Sequence, residues 1–116
     1  MNTFNTIWDI YRSCWSEVNA NQRTQKLKNI LTSNFEYLDP NFKVNGYLEL
    51  SNYMKEFQEQ FSGASFVTKN IHTHHNRCLV HWSMVNTKNE TLSHGTSYVL
   101  YEDNKLKQIT GFFNEE

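Results

Sequence analysis

Apolar side chains fall at helical spacing in three places near the start of the chain. Ile7, Trp8, Tyr11, Cys14, Trp15 and Val18 make one stripe and predict a helix over about residues 4–20. Leu27, Ile30 and Leu31 form the inner face of a second helix, capped by Asn21 and ending near Asn34. Its basic residues Arg23, Lys26 and Lys28 read as a solvated face. Phe35 to Leu38 reads as a short strand stopped by Asp39-Pro40. Tyr47, Leu50, Tyr53, Met54, Phe57 and Phe61 give a third helical stripe, ended by Ser62-Gly63.

Beyond Gly63 the texture changes. Segments 65–75, 78–87, 91–102 and 105–113 are rich in β-branched and aromatic residues. Asn76-Arg77, Asn86 to Asn89 and Asp103-Asn104 supply the breaks between them. The order is helix, helix, strand, helix, then a four-strand antiparallel meander. Such segregation predicts an α+β domain, with helices packed on one face of a curved sheet.

Alternation assigns the faces of the meander. Cys78, Val80, Trp82 and Met84 share one phase, taken as the inner face. A two-residue turn at Asn76-Arg77 pairs His75 with Cys78, Thr73 with Val80 and Ile71 with Trp82. That register points His75 inward and His72 and His74 outward. A register shifted by one reverses all of them. In the next strand Gly95, Ser97, Val99 and Tyr101 alternate with His94, Thr96, Tyr98 and Leu100. Both sets are half apolar, so periodicity leaves the choice open. Gly95 in mid-strand suggests a bulge or a bend.

Composition narrows the partners. The 116 residues suffice for one domain, taken as residues 1–116, and one core. Eleven basic and twelve acidic side chains give a formal charge of −1, which offers no electrostatic case for nucleic acid or an anionic membrane. No long apolar run or export signal is visible, so a cytoplasmic protein is expected. Cys14 and Cys78 lack metal-finger spacing and read as reduced, buried thiols. Aromatics reach 15%, enough either to fill a small core or to line a cavity.

A spaced set of residues carries more. Tyr37-x-Asp39-Pro40, Gly46 before the third helix, His74-His75 near a hairpin, Trp82, Gly95 and Ile109-x-Gly111-Phe112-Phe113 follow one another along nearly the whole chain. In this the sequence resembles SnoaL-like members of the nuclear transport factor 2-like superfamily. The resemblance implies a cone-shaped, cystatin-like α+β fold: three N-terminal helices on a curved, mainly antiparallel sheet that encloses a pocket. It also implies a homodimer formed through the sheet, to which Tyr98 and Leu100 would add an apolar patch if their phase faces outward. Activity is left open, because this fold hosts isomerases, cyclases, dehydratases and non-enzymes. Many SnoaL-like relatives carry an acid two positions after the strand glycine. Here that position is Ser97, and a lone hydroxyl is no general base near neutral pH.

Candidate chemistry follows from this set. Tyr37 and Asp39 lie two apart, so they share a face of a strand. A carboxylate beside a phenol suits proton abstraction next to a carbonyl, as in ketosteroid isomerase, a relative by fold. The competing reading is that Asp39 caps the Asp-Pro turn while Tyr37 fills the core. His75 is a further acid/base candidate, set against a solvent-exposed histidine at a hairpin end. Trp15, Tyr53, His74, Trp82, Ser97 and Phe112 are expected to line the pocket around a small apolar ligand. His72, His74 and His81 raise a metal reading, but no fourth ligand falls at an obvious position, so neither metal nor cofactor is expected. The functions in contention are a cofactor-independent isomerase, cyclase or dehydratase, a non-catalytic pocket, and a dimerising interaction module.

Overall fold

A computed structural model describes residues 4–113. The helices are α1 (Phe4–Cys14), α2 (Ala20–Ile30) and α3 (Gly46–Gln60). The strands are β1 (Leu31–Leu38), β2 (Lys43–Asn45), β3 (Ser65–His74), β4 (Arg77–Val85), β5 (Thr91–Glu102) and β6 (Lys105–Phe113). The six strands form one sheet in the order β2-β1-β6-β5-β4-β3. Only the β1–β6 pair is parallel; the other neighbours are antiparallel. The expected α+β architecture is therefore present, with β2 as an added edge strand.

The first two helices depart from their sequence reading. α1 buries Ile7, Trp8, Tyr11 and Cys14 but stops at Cys14, and Val18 is 81% exposed. Side chains from other helices take the carbonyls at this end. Gln58 Nε2 of α3 donates to the carbonyls of Cys14, Trp15 and Glu17, at 3.3, 3.0 and 3.0 Å. Arg23 of α2 donates to the Glu17 carbonyl at 2.7 Å and to Ser51 Oγ at 2.9 Å. Arg23 is thus buried in a tie between helices rather than solvated. Asn19, not Asn21, caps α2, its side chain accepting from the Gln22 N–H. α2 then passes directly into β1 at Leu31. The polar run Thr32 to Asn34, read as helix, is extended strand.

The meander strands match their predicted spans closely. The β3–β4 turn does not. His75 and Asn76 form it, with φ of 48° and 63°, the paired positive values of a type I′ hairpin. Thr73 therefore pairs with Cys78 and Ile71 with Val80. The register has moved by two, so Ile71 and Thr73 keep the inner phase while His75 leaves the strand. Gly95 carries no bulge: it pairs in register with Trp82 on one side and Phe113 on the other. Its role is clearance, because a Cβ there would collide with the Trp82 indole. The register shifts lie elsewhere, between Thr68 and Asn70 of β3, between Met84 and Val85 of β4, and between Leu100 and Tyr101 of β5.

Core residues sit between the helices and the inner sheet face, with Leu27, Leu50, Met54, Val80, Val99, Leu106 and Ile109 fully enclosed. No helix among the described residues is long and apolar enough to cross a membrane.

Candidate functional site

A cavity of about 370 Å³ opens between α1, α3 and the inner face of the sheet. This is within the size range of small-molecule sites. All three tryptophans line it: Trp8 from α1, Trp15 just after it, and Trp82 from β4. Most of the ring contacts around Trp15 and Trp82 are corners, and Phe57 and Phe66 stack on one another. Trp15 contacts Tyr53, Phe57 and Phe66 at interplanar angles of 80°, 84° and 70°. Phe66 meets Trp82 at 89°.

Asp39 is the polar centre of the cavity wall. Its Oδ1 accepts from the backbone N–H groups of Asn41 and Phe42, at 2.8 and 2.9 Å. This is the side-chain turn that Asp-Pro-Asn-Phe encodes. Oδ2 accepts from two phenols, Tyr37 Oη at 2.9 Å and Tyr53 Oη at 2.6 Å. Tyr37 arrives from β1 and Tyr53 from the middle of α3. The same carboxylate therefore caps a local turn and joins helix to sheet. Asp39 caps its turn, Tyr37 is buried, and both border the cavity.

Burial raises the phenol pKa of Tyr37 well above the usual value, with Tyr11, Asp39 and Tyr53 adding to the effect. Tyr53 is raised by burial, and further by its hydrogen bond to Asp39. Both phenols are therefore held in the neutral, donating form. Burial acts on the two thiols in the same direction. Burial pushes Cys14 up to about 11 and Cys78 up to about 12, and both are free.

Ser97 lies on the inner face, as its phase with Gly95 allows. Its Oγ accepts from Trp82 Nε1 at 3.0 Å. Acting as acceptor to the indole, the hydroxyl keeps its own proton to offer. Arg12 also borders the cavity, but its guanidinium is engaged. Nη1 donates to the Phe66 carbonyl at 3.0 Å, and Nη2 pairs with Asp9 at 3.4 Å.

Of the residues expected at the site, the structure brings together Trp15, Tyr37, Asp39, Tyr53, Trp82 and Ser97. It leaves three outside. His75 is exposed at the hairpin tip, its Nδ1 3.1 Å from that of His74. His74 lies on the outer face of β3, also exposed. Phe112 points outward and is 55% exposed, whereas its neighbour Phe113 takes the inner phase and lines the cavity. Sequence reasoning missed Phe57, Phe66 and Glu56 as lining residues. Phe57 was findable, since it lies one helical turn beyond Tyr53. Among the described residues, no group of three or more His, Cys, Asp or Glu is placed to hold a metal ion.

No protein-family model and no curated protein sequence matches the chain. Solved structures do. An isomerase candidate of the SnoaL-like family from Agrobacterium tumefaciens superposes with a TM-score of 0.88 at 20% identity, over 96% of this chain and 97% of that one. A SnoaL-like polyketide cyclase candidate from Jannaschia sp. gives 0.75 at 13% identity, over 96% and 84%. A nuclear transport factor 2-like protein of unknown function from Cytophaga hutchinsonii gives 0.73 at 12% identity, over 98% and 92%. The chain therefore has the nuclear transport factor 2-like fold. Within that fold its structure is similar to SnoaL-like proteins along almost its full length. At these identities the likeness establishes the fold, and function must be argued from the site.

Proposed function

We propose that this protein binds one small, mainly apolar molecule in the aromatic cavity, and that Asp39 holds the site together rather than abstracting a proton. The observation that carries this reading is the state of the Asp39 carboxylate. Two backbone N–H groups occupy Oδ1 and two phenols occupy Oδ2. A carboxylate oxygen offers about two acceptor positions, so all four are in use. A general base needs a free lone pair within reach of the proton it takes. Ser97, standing where relatives often carry an acid, supplies a donor and no base.

The experiment is direct. All three tryptophans line the cavity, so occupancy changes intrinsic fluorescence. Small apolar molecules are expected to quench or shift that emission saturably, with stoichiometry of about one by calorimetry and no product by mass spectrometry. Product formation from a bound molecule overturns the non-catalytic reading.

One observation favours proton transfer as a second reading: the Tyr37–Asp39–Tyr53 cluster borders the cavity where a carbonyl-containing ligand would sit. A ligand that displaced one phenol from Oδ2 would free a lone pair and place a phenol donor beside it. Two of the structurally similar proteins are named as an isomerase candidate and a polyketide cyclase candidate, which is chemistry of this kind. It predicts that Asp39→Asn abolishes turnover of an identified substrate while leaving binding measurable.

A further inference from the structure

We infer that the cavity selects an organic cation, a quaternary ammonium or a protonated amine carried on an apolar body, over neutral and anionic molecules of the same shape. The inference rests on the binding reading above and adds the chemical class of the ligand.

The polarity of the wall is the first argument. Two carboxylates, Asp39 and Glu56, border the cavity. The one cationic lining side chain, Arg12, is paired with Asp9 and a backbone carbonyl. An anion entering here would meet Asp39 without gaining a free positive partner, and desolvation would make that repulsion stronger.

The direction of the phenol protons is the second. Tyr37 and Tyr53 both donate to Asp39 Oδ2. With those protons committed, each phenol oxygen presents lone pairs to whatever lies beside it. Donation to a carboxylate also draws negative charge onto the phenol and its ring, which strengthens the attraction of that ring for a cation. A purely apolar floor would need Phe at position 53. Tyr there instead links a charged group to the ring system.

The third is the arrangement of rings. Trp15 meets Tyr53, Phe57 and Phe66 edge to face, and Phe66 meets Trp82 in the same way, while Phe57 and Phe66 stack on one another. Space in such a corner is bounded by ring faces, and it is the face that carries the negative end of the quadrupole. Aromatic corners backed by a carboxylate are the general recipe for holding a weakly hydrated cation.

The test compares three probes that share a phenyl body and a tetrahedral head: phenyltrimethylammonium, tert-butylbenzene and benzenesulfonate. Binding is followed by calorimetry and by tryptophan emission on the full chain. The cation is expected to bind at least about tenfold more tightly than the neutral isostere, with benzenesulfonate weakest of the three. Asp39→Asn should shrink the cation preference below about threefold. Should that variant fail to fold, Glu56→Gln, at an exposed position of α3, is expected to narrow it by about twofold. If tert-butylbenzene binds as well as the cation or better, the cation inference is overturned while the apolar-pocket reading stands. If none of the three binds, both fall. A preference for the cation that survives both substitutions unchanged also overturns the inference, since the carboxylates would then play no part.

Discussion

The two faces of the meander are made from alternate residues of the same strands, yet they carry different chemistry. The inner face presents Phe66, Trp82, Ser97, Val99 and Phe113, packed against helices or lining the cavity. The outer face presents histidines and hydroxyls among apolar residues such as Val67, Leu79 and Phe112. His81 Nδ1 lies 3.0 Å from Thr96 Oγ1, His94 Nδ1 lies 2.9 Å from Ser83 Oγ, and the His72 ring meets that of His81 at 6.1 Å. Four of the five histidines lie on this outer face and the fifth, His75, is in the turn. Period-two alternation thus keeps four imidazoles out of the cavity, and the turn position keeps out the fifth. The run of histidines serves the outer face and the hairpin turn, with His72 and His74 outward as their register predicts and His75 in the turn rather than inside.

The largest effect that would break this contrast is at Gly95. Because a Cβ there enters the Trp82 indole, Gly95→Ala is expected to destabilise the fold by about 2–3 kcal/mol, as overpacking does. The next residue faces the other way, and Thr96→Ala should cost about 1 kcal/mol, the worth of an ordinary hydrogen bond. Urea unfolding of the pair measures both. Equal values would mean that the two faces are not packed differently.

Next in size is the response to alkali. Tyr11 is raised far above the ordinary phenol value of 10.0, by burial first, and Tyr37 and Tyr53 are raised for the reasons given above. Cys14 and Cys78 are raised from 9.0. Each group holds its proton more tightly when folded than when unfolded. The unfolded chain therefore loses protons first as pH rises, and stability falls. The stabilisation is complete below about pH 9, declines as the thiols of the unfolded chain ionise, and declines more steeply above pH 10 when its phenols join. Denaturation midpoints measured from pH 8 to 11 check the slope. A flat profile would show that these groups are not sequestered. The same burial predicts negligible reaction of either thiol with a disulfide reagent at pH 8 until the protein is unfolded.

Tyr53→Phe isolates the carboxylate cluster. It removes one charge-assisted hydrogen bond to Asp39 and is expected to cost about 1.5–2 kcal/mol, reduced by the partial exposure of Tyr53. If Asp39 then gains a free lone pair, affinity for the cationic probe should change by more than that for the neutral one. A uniform change in both would point to lost packing alone.

How much of this was legible in the sequence depends on what each feature needs. The meander was legible because alternation and the turn pairs are local. Asp103-Asn104, with φ of 52° and 63°, is an example. The β3–β4 turn was misplaced because His75, a residue not typical of such turns, takes the left-handed position that Asn76 alone suggested. Helix one was overextended because Val18 continues its apolar period, and nothing local announces that Gln58, more than forty residues on, takes the carbonyls at its end. The pairing of Tyr37 with Asp39 was legible because it is local to β1. The second phenol on the same oxygen was not, because Tyr53 reaches it only through the packing of α3. Phe112 and Phe113 could not be told apart by type; only the register against Gly95 separates them.

The smallest effect on the cavity is expected from the outer face itself. Leu79, Tyr98 and Leu100 point away from the helices there, and Leu79 is 38% exposed. Leu79→Lys should change stability by no more than about 0.5–1 kcal/mol, as surface substitutions do, and leave probe binding unaltered. Pairing of two copies through this face, expected from the sequence resemblance, remains a proposal that the same variant tests. A sheet-paired dimer would place Leu79 near the centre of an apolar contact, where a lysine ammonium has no partner. Sedimentation at micromolar concentration should then show a dimer for the parent chain and a monomer for the variant. Two monomers would rule out the dimer. A dimer in both would place the contact elsewhere. Either result leaves the inner cavity as it is, because the residues that would pair the copies and those that would hold the ligand alternate along the same strands.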